Sequence, residues 1–184
     1  MKNEAEMALH VAAHLKKTSA REIRVGGCKF DVVAYDKKRR LFEIAECKLG
    51  SKPTVIGHAF GQAAAYCGTL SAHGVEFLDA YMKEVKLKFT RMMEATNQGK
   101  EFRVAFYVAL EQKACLQVEL IRSIKRLIPK IGIIRVKDDG RCRRFFRISG
   151  KKDLDLCKAE PVTVKAATGQ TGEINTARTY PHSR

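Results

Sequence analysis

Apolar positions along this chain recur with two periods, and the switches between them mark its elements. Residues 3–17 carry Met7, Ala8, Val11, Ala12 and Leu15 on one side of a 3.6-residue repeat, which predicts an amphipathic helix. A short strand at residues 21–25 ends in the turn pair Gly26-Gly27. Residues 28–35 and 41–48 are β-branched, aromatic or apolar runs around the polar stretch Asp36-Lys37-Lys38-Arg39-Arg40, the pattern of a β-hairpin. Gly50-Ser51-Lys52-Pro53 opens a helix that is expected to run to Ala72 and stop before Gly74. Leu78, Tyr81, Met82, Val85, Phe89 and Met92 then share a face of a further helix over residues 75–96, broken by Asn97-Gln98-Gly99-Lys100. Residues 102–110 read as a buried strand and 114–128 as a helix ended by Pro129. Residues 131–136 read as a buried strand and 143–148 as a final one, after the turn Asp138-Asp139-Gly140.

The order αβββααβαββ predicts a single α/β domain with a mixed sheet and helices on both faces. Its expected span is residues 1–158. From residue 159 to 184 the chain turns to Thr, Gly, Asn, Pro and Ser without apolar periodicity, and a flexible tail is expected there. The chain has 184 residues, which suits one core, and 45% of them are hydrophobic, enough to fill it. No apolar run approaches the ~18 residues of a membrane span. Glu4, Glu6, His10 and His14 interrupt the N-terminal stretch where a secretory signal would be continuous. Six scattered cysteines with no Cys-x-x-Cys pair fit neither a zinc cluster nor a disulfide framework, so a reduced, cytoplasmic protein without membrane partners is expected.

Charge narrows the partners. The 35 Lys and Arg against 20 Asp and Glu give a net charge of +15. The cations cluster at Lys37, Lys38, Arg39 and Arg40, at residues 122–126 and at 141–147. Such a surface attracts a polyanion by releasing its condensed counterions, so nucleic acid, DNA or RNA, is the expected partner, with membrane lipid the weaker competitor.

The hairpin supplies candidate chemistry. With Lys38-Arg39 as its turn, Asp31 faces Glu46, Val33 faces Ile44 and Tyr35 faces Phe42. Asp31, Glu46 and Lys48 then share one face. Two carboxylates with Cβ atoms ~5 Å apart repel unless a cation separates them. Mg²⁺ suits the position, since it takes oxygen ligands and keeps several waters; Mn²⁺ is the expected substitute. Metal, charge and positioning together suit phosphodiester hydrolysis.

Phe30-Asp31, followed after fourteen residues by Glu46-Cys47-Lys48, resembles the PD-(D/E)xK motif of the restriction-endonuclease-like nuclease superfamily. Gln62-Ala63-Ala64-Ala65-Tyr66 resembles the QxxxY element that RecB-type members carry on the next helix. The resemblance covers roughly residues 3–110 and departs from the pattern in having Phe where Pro precedes the Asp. It implies a restriction-endonuclease-like αβββαβ core, metal held by Asp31 and Glu46, a catalytic Lys48 and a contribution from Gln62. Many members add an acid on the first helix. Glu4 heads the apolar stripe while Glu6 points away, so Glu4 is the expected third ligand, against simple fraying of the helix end. The implied activity is that of a Mg²⁺-dependent DNA endonuclease, with junction resolvase, restriction or mobile-element enzyme and repair nuclease left open. A homodimer is expected by analogy, and no small-molecule cofactor. The alternative is a non-catalytic nucleic-acid-binding module on the same fold.

Other residues read more plainly. His58, Gln62 and Tyr66 form one polar stripe on the helix, bordering a core face of Ile56, Phe60, Ala63, Cys67 and Leu70, so His58 and Tyr66 are candidate DNA contacts beside Lys37, Lys38, Arg39 and Arg40. Glu84-Val85-Lys86 and Glu111-Gln112-Lys113 repeat the Glu-x-Lys spacing, but no opposed Asp accompanies them. Asp36 and Glu43 read as surface residues, Cys47 as core, and His10, His14 and His73 as structural or surface.

Overall fold

The computed structural model describes residues 1–15, 18–86, 101–111, 118–128, 130–144, 146–148, 151–153 and 157–165. In chain order the elements are α1 (Glu4–Leu15), β1 (Thr18–Val25), β2 (Cys28–Asp36), β3 (Leu41–Lys48), α2 (Pro53–Val85), β4 (Glu101–Glu111), α3 (Val118–Leu127), β5 (Gly132–Val136), β6 (Cys142–Arg143), β7 (Phe146–Ile148), β8 (Lys151–Asp153) and β9 (Val162–Lys165). β1 to β6 lie side by side in sequence order in one mixed sheet, and β9 pairs with β4; β7 and β8 form a separate two-stranded ribbon. The β1–β2 and β2–β3 pairs are antiparallel, and β3–β4 and β4–β5 are parallel. The fold is therefore α/β with a helix layer on each face of a mixed sheet. Among the described residues no helix is long and apolar enough to cross a membrane.

Each layer follows from the apolar pattern. The Met7, Ala8, Val11 and Leu15 stripe of α1 packs on Val32, Ala34, Leu41, Ala45 and Cys47. On the opposite face α2 buries Ile56, Ala59, Phe60, Ala63, Tyr66 and Leu70, then Phe77, Leu78, Tyr81 and Met82. Phe42 is the hub there, with ring centroids of Phe77, Tyr81 and Phe102 at 5.4, 5.3 and 5.6 Å. These edge-on contacts are the favoured geometry for aromatic pairs.

Several expectations need correction. The break expected before Gly74 falls at His73, whose backbone is non-helical (φ −125°, ψ 30°); the helices on either side of this kink run on as the one element α2. A glycine costs a helix only about 1 kcal/mol, and the buried residues beyond it hold the chain helical. Residues 87–100, where that segment was expected to continue, lie outside the described residues. The strand expected over 143–148 is broken into β6 and β7. The boundary expected at residue 158 falls inside the fold. Glu160 donates its backbone N–H to Lys130 O at 3.0 Å, and β9 pairs antiparallel with the start of β4. This four-residue strand buries only Val164, too little to show as a periodic pattern. Residues 166–184 lie outside the described residues.

The hairpin register is the expected one: Val33 pairs with Ile44 and Tyr35 with Phe42. Its loop is longer, spanning residues 37–40, because Asp36 and Leu41 form the last pair. Asp36 Oδ1 accepts the N–H groups of Lys38 (3.0 Å) and Arg39 (3.2 Å), the Asx-type bonding that favours Asp at turn starts. Glu43, expected at the surface, is 0% exposed. Arg144 Nη1 donates to its Oε1 at 2.9 Å, Arg39 Nη1 lies 3.8 Å away, and the Tyr107 hydroxyl is at 3.4 Å. Arg144 reaches it from 101 residues away in the chain, which no local pattern reveals.

Candidate active site

Asp31 owes its position to a fault in strand alternation. Phe30 and Val33 lie in the same core layer, while Val32 and Ala34 lie in the other. On β1 the same shift places Ala20, Ile23 and Val25 together. Pairing between the strands skips the Glu22–Asp31 step, and Glu22 adopts φ +57°, the left-handed region that few non-glycine residues enter. The β2–β3 pairing also ends at Val32 and Ala45, one step short of Asp31 and Glu46. Past that point Asp31 Oδ2 accepts the Cys47 backbone N–H at 3.0 Å. The strands part and a cleft opens between them.

That cleft has a volume of about 320 Å³, and Glu4, Asp31, Glu46, Lys48, Gln62 and Tyr66 all line it. Four elements converge there: α1 from one face, α2 from the other, and β2 and β3 between them. Lys48 Nζ sits between two acids, 3.0 Å from Glu46 Oε1 and 3.4 Å from Glu4 Oε2. Glu4 Oε1 also accepts the Leu49 N–H at 3.4 Å. Glu6, by contrast, accepts the Lys2 N–H at 2.5 Å on the outer side of the helix. The Tyr66 hydroxyl donates to Glu46 Oε2, with the Lys29 carbonyl 2.8 Å away as its other acceptor. Gln62 Oε1 is buried without a hydrogen-bond partner among the described residues.

The electrostatics follow from this packing. Burial raises the Glu46 pKa above the ordinary carboxylate value. The nearby Asp31 adds to the rise, while the Tyr66 hydrogen bond and Lys48 oppose it. Partial burial works against the Lys48 ammonium, but its hydrogen bond to Glu46 and the charges of Glu46, Glu4 and Asp31 outweigh that, so its pKa lies above the ordinary lysine value. Burial and the Glu46 carboxylate raise the Tyr66 phenol pKa strongly, and burial raises that of Tyr81. A phenol with a raised folded pKa contributes stability that is complete below pH ~10 and is lost as pH rises above it. Unfolding free energy is therefore expected to fall between pH 10 and 11.5 by up to about 1.4 kcal/mol per pH unit for each such phenol, and the thermal midpoint with it. Tyr81→Phe is expected to flatten that fall, whereas a midpoint flat across this range would contradict it. The buried Lys125, whose pKa burial lowers, acts in the opposite direction but is a single group.

The remaining candidates lie elsewhere. His58 is exposed and lines no part of the cleft, because only the Gln62, Ala65 and Tyr66 turn of α2 reaches it. Lys37, Lys38, Arg39 and Arg40 are exposed on the hairpin loop. Five strand residues separate that loop from Asp31, roughly 17 Å at ~3.3 Å per residue, so it stands at the opposite end of the sheet. Glu111 accepts the Gly50 N–H at 3.1 Å, tying down the segment after Lys48. Glu84 is exposed, and Cys47 is fully buried. One neighbour escaped the sequence reading. Lys29 Nζ lies 3.5 Å from Asp31 Oδ1, two residues before it on the same strand.

Among the described residues no three His, Cys, Asp or Glu side chains converge as a metal-binding group. A magnesium ion does not require three, since one or two carboxylates with water and phosphate oxygens suffice. Asp31 and Glu46 supply two such carboxylates, and the unpartnered Gln62 Oε1 adds a neutral acceptor. The donor set fits a hard divalent cation. Comparisons of the chain with protein-family models, with curated proteins and with solved structures found no match.

Proposed function

We propose that this protein is a Mg²⁺-dependent DNA endonuclease of the PD-(D/E)xK type. The observation that carries the reading is the convergence of Asp31, Glu46, Lys48, Gln62 and Glu4, from four separate elements, on one cleft. Two features support it: the element order α1-β1-β2-β3-α2-β4, which is the order the motif resemblance implies, and the charge of +15.

Asp31 and Glu46 would hold the cation, which supplies Lewis-acid charge at a non-bridging phosphate oxygen and acidifies water. The side chains do the rest. The Cys47 N–H fixes Asp31 through Oδ2, and the Tyr66 hydroxyl fixes Glu46 through Oε2. The Lys48 ammonium orients the attacking water and stabilises the negative charge that grows on the phosphoryl oxygens. The water oxygen bonds to phosphorus, the phosphorus–oxygen bond to one sugar breaks, and the departing oxygen takes up a proton. A reduced, cytoplasmic setting and a homodimeric assembly belong to the same proposal. No disulfide forms among the described cysteines.

Plasmid, branched and linear DNA incubated with Mg²⁺, Mn²⁺ or EDTA tests the reading. Cleavage is expected with either ion, absent with EDTA, and lost in Lys48→Ala. Equal cleavage by wild type and Lys48→Ala would remove this cleft from the chemistry. DNA binding without cleavage of any substrate would favour a non-catalytic binding module.

A further inference from the structure

The cleft has a neighbour. A second cavity of about 360 Å³ shares Gly27 and Cys28 with it and continues along the β1–β2 turn to Arg24, Glu76 and Ala80. Two features of the backbone build it. Gly26 and Gly27, at φ +53° and +77°, close the hairpin between Val25 and Cys28 with a two-residue turn that only glycine enters without strain. Opposite them α2 bends at His73, and the His73 ring lies so near Gly26 that a Cβ there would come within 2.5 Å of its Cδ2. The imidazole thus packs the turn against the bend. Beyond the bend, His73 Nδ1 lies 2.9 Å from Glu76 Oε2. The exposed Arg24 has no acid partner among the described residues.

Resting on the nuclease reading, we propose that this second cavity receives one unpaired nucleotide next to the scissile phosphate, so that the substrate is DNA with a single-stranded flap or gap at the cleavage point. In an uninterrupted duplex the bases are stacked and paired inside, and a base enters a side cavity only after leaving the stack at a cost of a few kcal/mol. A strand that is already unpaired avoids that cost. The cavity is nucleotide-sized, within the usual range of small-ligand sites, and its polar groups match the occupant. The Arg24 guanidinium pairs with a phosphate or stacks on a base. The Glu76 carboxylate accepts from an exocyclic amino group. The exposed Gly27 backbone lets the chain approach closely.

Fluorescence anisotropy with wild-type protein in EDTA, comparing labelled flap DNA with a blunt duplex of equal length, tests the inference. Tighter binding of the flap by about 10-fold is expected. Arg24→Glu is expected to reduce that preference below 3-fold, with Arg24→Lys retaining most of it. Equal affinity of wild type for both DNAs would overturn the inference, as would an Arg24→Glu loss of the same size on both, which marks diffuse charge alone. Cleavage assays separate the two levels. A wild type that cuts both DNAs in Mg²⁺ and prefers neither keeps the nuclease reading and loses the subsite. One that prefers the flap, through Arg24, and cuts nothing keeps the subsite and loses the nuclease.

Discussion

Glu46→Gln is expected to lower metal-dependent DNA cleavage by at least about 10³-fold, equivalent to about 4 kcal/mol of transition-state stabilisation. The substitution is nearly isosteric. A glutamine oxygen still accepts from the Tyr66 hydroxyl that now donates to Glu46 Oε2, so the fold is expected to survive. What disappears is one of the two negative charges that would hold the ion, on a side chain only 2% exposed, where the attraction is screened little by solvent. Lys48 simultaneously loses its nearer partner, at 3.0 Å, and is left to Glu4 at 3.4 Å. Asp31→Asn is expected to act alike, with the amide oxygen keeping the Cys47 N–H. Single-turnover cleavage rates across a Mg²⁺ titration, beside thermal melts, check this. A Glu46→Gln enzyme within 10-fold of wild type at saturating Mg²⁺, and equally stable, would show that the two carboxylates do not hold the ion.

Arg144→Met is expected to have the largest effect on stability of the substitutions considered. Glu43 is wholly enclosed, and Arg144 supplies a cation to it at 2.9 Å while also lying over the Tyr107 ring at 4.7 Å. Removing one partner of a buried ion pair weakens the compensation of the charge that stays behind, at a cost of about 3 kcal/mol. For a chain of this size that lowers Tm by about 6–12 °C. Arg39, at 3.8 Å and more exposed, compensates little. The double variant Glu43→Gln/Arg144→Met is expected to recover most of the loss, because it removes the charge together with its counter-charge. Calorimetry of the two variants decides it. An Arg144→Met protein melting within 2 °C of wild type would mean that Arg39 and Tyr107 suffice.

These outcomes bear on what the sequence carries. The layers were legible because α1 and α2 keep clean apolar periods and the strands read as apolar runs, and the hairpin register was legible because centring the turn on Lys38-Arg39 gives the offset that pairs Tyr35 with Phe42. The trio Asp31, Glu46 and Lys48 was legible through its spacing, and Glu4 through its place on the stripe of α1. Glu43 was misread because its cations come from Arg144, a hundred residues away, and from the hairpin loop. His58 lies outside the cleft because the stripe it shares with Gln62 continues past its edge. β9 was missed because one buried valine leaves no periodic trace. The slip at Glu22 and Asp31, where pairing skips a step and the core layers of β2 exchange, is invisible to any rule that assumes strict alternation.

The clustering of Asp31, Glu46 and Lys48 on a single ribbon has a consequence for assembly. Eighteen consecutive residues carry all three, so their mutual spacing depends on contacts between near neighbours in the chain, which close within microseconds. Glu4, Gln62 and Tyr66 join only when the two helices dock. A form in which α1 has come away would keep the trio while freeing Lys48 from Glu4, and hydrogen exchange would register it as early loss of protection in the first helix alone.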